Sequence, residues 1–224
     1  MPRLRVGVLI SGRGSNLKAL IEACDEPDYP AEIVLVISDR CEAPGLGIAA
    51  AAAIPAAVIQ HRDRRAFAAD AELLLREQHV EFVCLAGFMR VLDTGFVEAW
   101  RNRMINIHPS LLPSFRGLRA QQQALEAGVR FAGCTVHFVR PELDSGPIIG
   151  QAVVPVHPDD DEARLSARIL ELEHRLYPLV LRLVAENRVR VIGERVEIEG
   201  ATAPGTTLLN PSAPGARPLV PSNG

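Results

Sequence analysis

The opening of the chain leaves it little conformational freedom. Leu4–Ile10 is a mainly apolar run with β-branched residues and Arg5 as its one charge, Gly12 and Gly14 follow it, and Leu17, Leu20 and Ile21 then recur at helical spacing through Ser15–Cys24. A run with no polar alternation is expected of a strand buried on both faces of a parallel sheet. A second such run, Ile33–Ser38, arrives at the distance of a βαβ crossover. The alternation continues. Gly47–Ala53 reads as a helix, Ala57–Ile59 as a short strand and Asp63–His79 as a helix with its apolar face on Phe67, Ala71, Leu74 and Leu75. Phe82–Ala86 and Met104–Ile107 read as strands, separated by an amphipathic segment ending at Trp100. Such an order predicts an α/β fold with a doubly wound, mainly parallel sheet.

The second half differs. Cys134–Val139 and Ile148–Val156 are strand-like with no helix between them, so the sheet is expected to end in an antiparallel part. Asp159, Asp160, Asp161 and Glu162 place acids where they cap a long helix and oppose its dipole. Leu165, Ile169, Leu172, Leu176, Leu179 and Leu183 form its apolar stripe, and Pro178 predicts a kink. Arg188–Glu199 reads as a hairpin turned at Gly193-Glu194. From Ala201 the chain shifts to Pro, Gly, Ser and Thr without an acid, which predicts one domain over 1–200 and a poorly ordered tail over 201–224.

Composition removes several functions. The net charge of −3 and the lack of a basic block argue against a nucleic-acid binder held by phosphate neutralisation. Cys24, Cys41, Cys84 and Cys134 are far apart with no CxxC pair, and three lie in apolar or small-residue runs, so core packing is expected rather than disulfides or zinc. The N-terminal run is too short to span a membrane and lacks a small-residue cleavage site, which predicts a cytoplasmic chain. No His, Asp and Glu spacing predicts a metal site.

Four segments carry candidate chemistry. In Ser11-Gly12-Arg13-Gly14-Ser15-Asn16, backbone N–H groups at a helix start, with the Ser15 hydroxyl and Asn16 amide, suit a phosphate; a glycine turn with Ser15 or Asn16 as helix cap fits equally well. The loop lacks both a Walker lysine and the GxGxxG spacing, against nucleoside triphosphates and dinucleotides. In Asn106-Ile107-His108-Pro109-Ser110, alternate residues share a face if the segment is extended, pairing an oxyanion donor with a proton carrier. A structural histidine is the competing reading. Asp144, in the turn Glu142-Leu143-Asp144-Ser145-Gly146-Pro147, either stabilises its own turn or pairs with His108. Glu173 borders the helical stripe, either solvated or available to two sugar hydroxyls. His61 and His79 read as surface residues, and His137 as a buried one of low functional weight.

The segments Leu9–Leu17, Leu85-Ala86-Gly87-Phe88-Met89-Arg90, Asn106–Pro113 and Leu143–Pro147 resemble the folate-dependent formyltransferases, across roughly residues 4–198. Asn-x-His-Pro-Ser-Leu-Leu-Pro marks the wider group, and Ser-Gly-x-Gly-Ser-Asn narrows it to the phosphoribosylglycinamide formyltransferase family. The resemblance implies a Rossmann-like formyltransferase fold and transfer of a formyl group from 10-formyltetrahydrofolate to the amine of glycinamide ribonucleotide, in purine biosynthesis. It implies Asn106, His108 and Asp144 as catalytic, and Gly14, Ser15, Asn16 and Glu173 as substrate-binding. For the folate it implies Arg64, Met89, Arg90, Val91, Leu92, Asn106, Arg140, Pro141, Glu142, Leu143 and Asp144. The expected partners are those two small molecules, with no metal, nucleic acid or membrane, in a monomer or homodimer. Two positions depart from many relatives: Arg119 stands where they carry histidine, and Leu170 where several carry glutamine.

The nearest competing function is formyltetrahydrofolate deformylase, expected to carry a regulatory domain for which a first strand at Leu4 leaves no room. Methionyl-tRNA formyltransferase is expected to be longer and basic. A phosphosugar-binding protein would not need Asn106, His108 and Asp144 together, and Ser110 has no nucleophile-elbow motif.

Overall fold

The structure is a computed structural model and describes residues 2–202, 205 and 208–210. Seven strands make the central sheet: β1 (Leu4–Ile10), β2 (Ala31–Ser38), β3 (Ala56–Val58), β4 (Phe82–Leu85), β5 (Met104–His108), β6 (Phe131–Phe138) and β7 (Ile148–Pro155). Their order is β3-β2-β1-β4-β5-β6-β7. The first five are parallel; β6 runs antiparallel to both β5 and β7. The expected doubly wound sheet with an antiparallel end is the observed one.

Two cores cover the two faces. On one side α1 (Ser15–Cys24), α2 (Gly45–Ala51), α5 (Ala120–Glu126) and α6 (Glu162–Ala185) pack on residues such as Val6, Val8, Ile10, Cys84 and Ile105. On the other, α3 (Arg64–Glu77) and α4 (Thr94–Ala99) cover Leu9, Leu35, Ile37, Val83 and Leu85. The chain winds outward from β1 to β3 and resumes at β4 on the other side of β1. The loops leaving β1 and β4 therefore diverge. Such a reversal opens a crevice at the carboxyl ends of the strands, where open α/β sheets bind ligands.

Helix α6 ties the sheet together: the buried Tyr177 hydroxyl donates to the carbonyls of Leu85 (3.0 Å) and Ile105 (3.2 Å). Asp161 caps the helix through Arg164 N, as the acidic start predicted. Its buried stripe departs from expectation. It contains Glu173, Tyr177 and Val180, while Leu179 is exposed. A four-and-three spacing advances at 3.5 residues per turn, and a 3.6-residue helix drifts off it by about 20° per heptad. The helix continues through Pro178 to Ala185, so the kink expected there does not end it.

Helix α5 was not evident in the sequence; it is short and begins at Arg119 in a left-handed conformation. The hairpin β8 (Val189–Ile192) and β9 (Arg195–Ile198) turns at Gly193-Glu194 as expected, with Val189, Val191, Val196 and Ile198 packed on the first core. Cys24, Cys84 and Cys134 are buried and free, and burial pushes the Cys24 and Cys134 thiols up to about 12. Most of the tail over 201–224, including its expected disorder, lies outside the described residues. Within the described part, Asn210 Nδ2 donates to the Arg130 carbonyl at 2.5 Å.

Candidate active site

At the end of β1, Gly14 occupies the N-cap of α1 with φ 78°, and no side chain caps the helix. Neither Ser15 nor Asn16 is the cap, which removes the reading of an ordinary capped turn. The first N–H groups of a helix have no intrahelical acceptor and carry positive potential, so they point at an open edge ready for an anion. Gly14 has a second reason to be glycine. A Cβ there would sit 2.6 Å from Gly45 Cα, and Gly45 N donates to Gly12 O at 3.1 Å, so two backbones press together.

Asn16 faces inward. Its Nδ2 donates to Glu173 Oε2 at 2.7 Å, both residues are buried, and its Oδ1 has no partner among the described residues. Glu173 is thus no solvated border residue. Burial pushes its carboxyl above the ordinary glutamate range, and the Asn16 amide and the Arg13 charge oppose that rise. The contact spans 157 positions of sequence and joins the glycine loop to α6.

Two strand positions away, about 10 Å at ordinary sheet spacing, β5 ends in Asn106 and His108. Both project from the same face, as predicted. Ser110 does not join them: the chain bends so that Ser110 N donates to His108 O, and Ser110 Oγ donates to Ser114 O at 2.6 Å. His108 Nδ1 lies 3.4 Å from Asp144 Oδ2, both side chains 7% exposed, so of the two readings open for Asp144 the contact with His108 is present. His108 Nε2 donates to Phe115 O at 2.9 Å. Each ring nitrogen of His108 therefore faces an oxygen, Asp144 Oδ2 on one side and Phe115 O on the other. Asp144 also holds the next loop, accepting Gly117 N at 2.8 Å, from a backbone with φ 48°.

His137 is the residue that sequence reading undervalued. It pairs directly with Asn106 across β5 and β6, its Nδ1 donates to Phe138 O (2.9 Å), and its Nε2 is left to accept from Asn106 Nδ2 at 3.4 Å. Asp144 Oδ1 lies 3.8 Å from the same nitrogen. Burial pushes His137 below the ordinary imidazole value, although the Phe138 carbonyl and Asp144 favour charge. A neutral His137 fixes which way the Asn106 amide points. The available signal was the alternation of polar Thr135 and His137 with Cys134, Val136 and Phe138. The strand it would face was not deducible. Thr135 braces the loop beyond His108, donating to Ser110 O (2.7 Å) and accepting from Leu112 N (3.1 Å).

The β4 loop adjoins the glycine loop through Ser11 N to Gly87 O (3.2 Å) and Met89 N to Ser11 Oγ (2.9 Å). Met89, Val91, Leu118 and Leu143 are exposed apolar side chains on the loops at this edge, and Leu92 is half-buried. Arg90 reaches over the Phe67 ring and donates to the carbonyls of His61 (2.5 Å) and Arg62 (3.0 Å), bringing it beside the start of α3, where Arg64 is exposed. Pro141 and Glu142 are exposed beside Leu143. The Arg140 guanidinium is buried and engaged with Glu194, Asn102 and Val139, which leaves its backbone as the part that can face a ligand. Arg119 and Leu170 both lie off the catalytic cluster, at the start of α5 and one turn before Glu173. Among the described residues, no group of three His, Cys, Asp or Glu is placed to hold a metal, and no helix is long and apolar enough to cross a membrane.

Residues 4–181 match the family model described as formyl transferase. The chain is 52% identical over 198 residues to the trifunctional purine biosynthetic protein adenosine-3 of Drosophila pseudoobscura pseudoobscura, covering 86% of this chain and 14% of that protein. It therefore spans only a small part of those relatives. It is 39% identical over 212 residues to the phosphoribosylglycinamide formyltransferase of Haemophilus influenzae, covering 92% of this chain and 99% of that one. The solved glycinamide ribonucleotide transformylase 1 of Symbiobacterium toebii superposes with a TM-score of 0.85 at 49% identity, over 88% of this chain and 94% of that one. A formyltetrahydrofolate deformylase from Pseudomonas syringae lies farther off in sequence, at 28% identity and a TM-score of 0.82, over 88% of this chain and 66% of that one.

Proposed function

The chain belongs to the formyl transferase family, and from that membership we propose that it moves the formyl group of 10-formyltetrahydrofolate to the amine of glycinamide ribonucleotide in the cytoplasm. The observation that carries the reading is the convergence of Asn106, His108 and Asp144 at the carboxyl edge of the sheet, beside a helix N-terminus suited to one phosphate. A carbonyl under attack needs a donor for its developing oxyanion and a carrier for the amine proton. Asn106 Nδ2 has a second N–H beyond the one turned to His137, and His108 with Asp144 holds and relays the proton. Phosphate on Gly14–Asn16 and sugar hydroxyls on Glu173 hold the acceptor in place.

The apolar side chains Met89, Val91, Leu92 and Leu143 suit the flat ring system of the folate co-substrate, together with the backbone over Arg140–Asp144. Arg64 and Arg90 bring positive charge to its acidic end. Transfer is direct. The donor is already activated, the neutral amine is a competent nucleophile, and Ser110 is spent on Ser114 O. Intact-mass measurement with the donor alone should show an unmodified chain; a formyl adduct that then passes to the acceptor would replace this mechanism.

Hydrolysis of the donor is the second reading, favoured by the shared fold of the solved deformylase. One assay separates the two. Formyl loss from 10-formyltetrahydrofolate should depend on glycinamide ribonucleotide, and equal loss with and without it would make the protein a deformylase.

A further inference from the structure

The hairpin β8–β9 lies beyond the residues that match the family model, yet its turn reaches the catalytic loop. Glu194 divides its carboxylate between two arginines: Oε2 accepts from Arg140 Nε at 3.1 Å and Oε1 from Arg101 at 2.9 Å. Arg140 is 7% exposed in its side chain, Glu194 57%. The remaining Arg140 donors go to Asn102 Oδ1 (2.9 Å) and Val139 O (3.1 Å), so the planar fork has three fixed acceptors.

The segment from Arg140 to Gly146 carries Asp144 at its far end. Its neck is closed by Phe138 N donating to Pro147 O at 2.9 Å, and Gly146 packs so closely that a Cβ would meet Phe138 O at 1.8 Å. The Arg140 side chain fastens the opposite arm. Glu194 sits at a turn whose two strands are anchored, because alternate residues of both pack on the core. Three residues separate Asp144 from Arg140 and one separates it from Gly146, and with its φ of 48° and its bond from Gly117 N the short segment limits how far the carboxylate can drift from His108.

We propose that Glu194 is a positioning residue for the Asp144 loop, acting through Arg140 from a hairpin beyond the residues that match the family model. The structural claim stands by itself; its kinetic consequence rests on the formyl-transfer reading above. Glu194→Ala should lower kcat or raise the KM for the formyl donor by about tenfold, the scale of a small misplacement of a catalytic group. The KM for glycinamide ribonucleotide should stay nearly constant, since the glycine loop and Glu173 are untouched. The His108 ring signals in a ¹⁵N NMR spectrum should move, and Glu194→Gln, which keeps one acceptor, should fall between wild type and alanine. Adding Glu194→Ala to Arg140→Ala should cost little more than Arg140→Ala alone. Glu197→Ala on the same hairpin should leave all of these unchanged.

Unmoved His108 signals and unchanged donor kinetics in folded Glu194→Ala would overturn the proposal. So would a parallel loss for both substrates that tracks a drop in Tm. Wild-type protein without transferase activity would instead refute the formyl-transfer reading, while the NMR comparison would still judge the strut.

Discussion

The β1–α1 turn and the β5–β6 end of the sheet meet at one crevice but are made in different ways. The first is local: one short stretch from Ile10 to Asn16 forms a strand end, a glycine turn and a helix start, and backbone N–H groups offer the chemistry. The second is assembled at long range. Asn106 and His108 come from β5, His137 from β6, and Asp144 from the loop beyond it, with the Phe115 and Gly117 backbone completing their contacts. A site of backbone donors tolerates side-chain variation as long as the turn can form. A site of opposed side chains depends on each partner, and three of these four are buried titratable groups. Binding is therefore expected to concentrate at the first region and chemistry at the second.

Substitutions that separate kcat from KM test this division. His108→Ala should reduce kcat by about 10²–10⁴, the range for losing an acid–base group, with little change in the KM for glycinamide ribonucleotide. Steady-state kinetics on both substrates would check it, and a matching rise in the ribonucleotide KM would erase the division of labour. Asn106→Ala should cost about 10²–10³ in kcat, as for one oxyanion donor. His137→Gln should do less harm, provided the amide at 137 still orients Asn106.

At the other region the expected effect is smaller and of the opposite kind. Ser15→Ala should raise the ribonucleotide KM about tenfold, as for one hydrogen bond to a charged group, with kcat preserved. Gly14 is a poor probe of the anion, because its contact with Gly45 makes any side chain there disruptive with or without ligand.

The smallest effects are on stability against pH, and their signs differ between the two regions. Glu173 has a raised folded-state value, so its contribution is fully present below the unfolded glutamate range and is lost as pH rises through the folded one. Glu173→Gln should remove that loss, making Tm above about pH 5 less dependent on pH than in the wild type. His137 is depressed, so its contribution is present above the unfolded value of about 6.5 and is lost as pH falls from there toward the folded one. His137→Gln should flatten the acid side of the profile. Tm profiles of both variants would check the pair, and an unchanged slope in either would mean that the group is not buried in its charged-state penalty.

Much of this was legible in the residues. The parallel strands, the hairpin, the Asp161 cap, the buried cysteines and the pairing candidates Asn106, His108 and Asp144 all follow from short-range pattern, because strand and helix periods and turn chemistry act over a few residues. The family resemblance pointed to the same residues from motif alone. Less was legible wherever a side chain had a choice of partners. Asp144 had two readings, its own turn or His108, and the structure uses it for His108 and Gly117 N together. The resemblance puts Arg140 at the folate site, and the structure adds that its side chain is bound to Glu194. Glu173 has two readings in the sequence, a solvated border residue or an acceptor for sugar hydroxyls, and the structure removes the first by turning Glu173 inward with Leu176 while Leu179 faces out.

By itself, then, the sequence determined the order of elements, the glycine turn that must precede α1, and the residue types able to do the chemistry. Those are consequences of local sterics and of period, which any stretch of chain carries with it. Only the tertiary structure decided that β6 would pair with β5 in the register that lays His137 opposite Asn106, that Asn16 would spend its amide on Glu173, and that a hairpin turn would reach Arg140. Each of those is a contact between residues 31 to 157 positions apart. Taking such polar groups out of water costs free energy unless they are paired, and that pairing exists only once the sheet and α6 have brought the partners within reach.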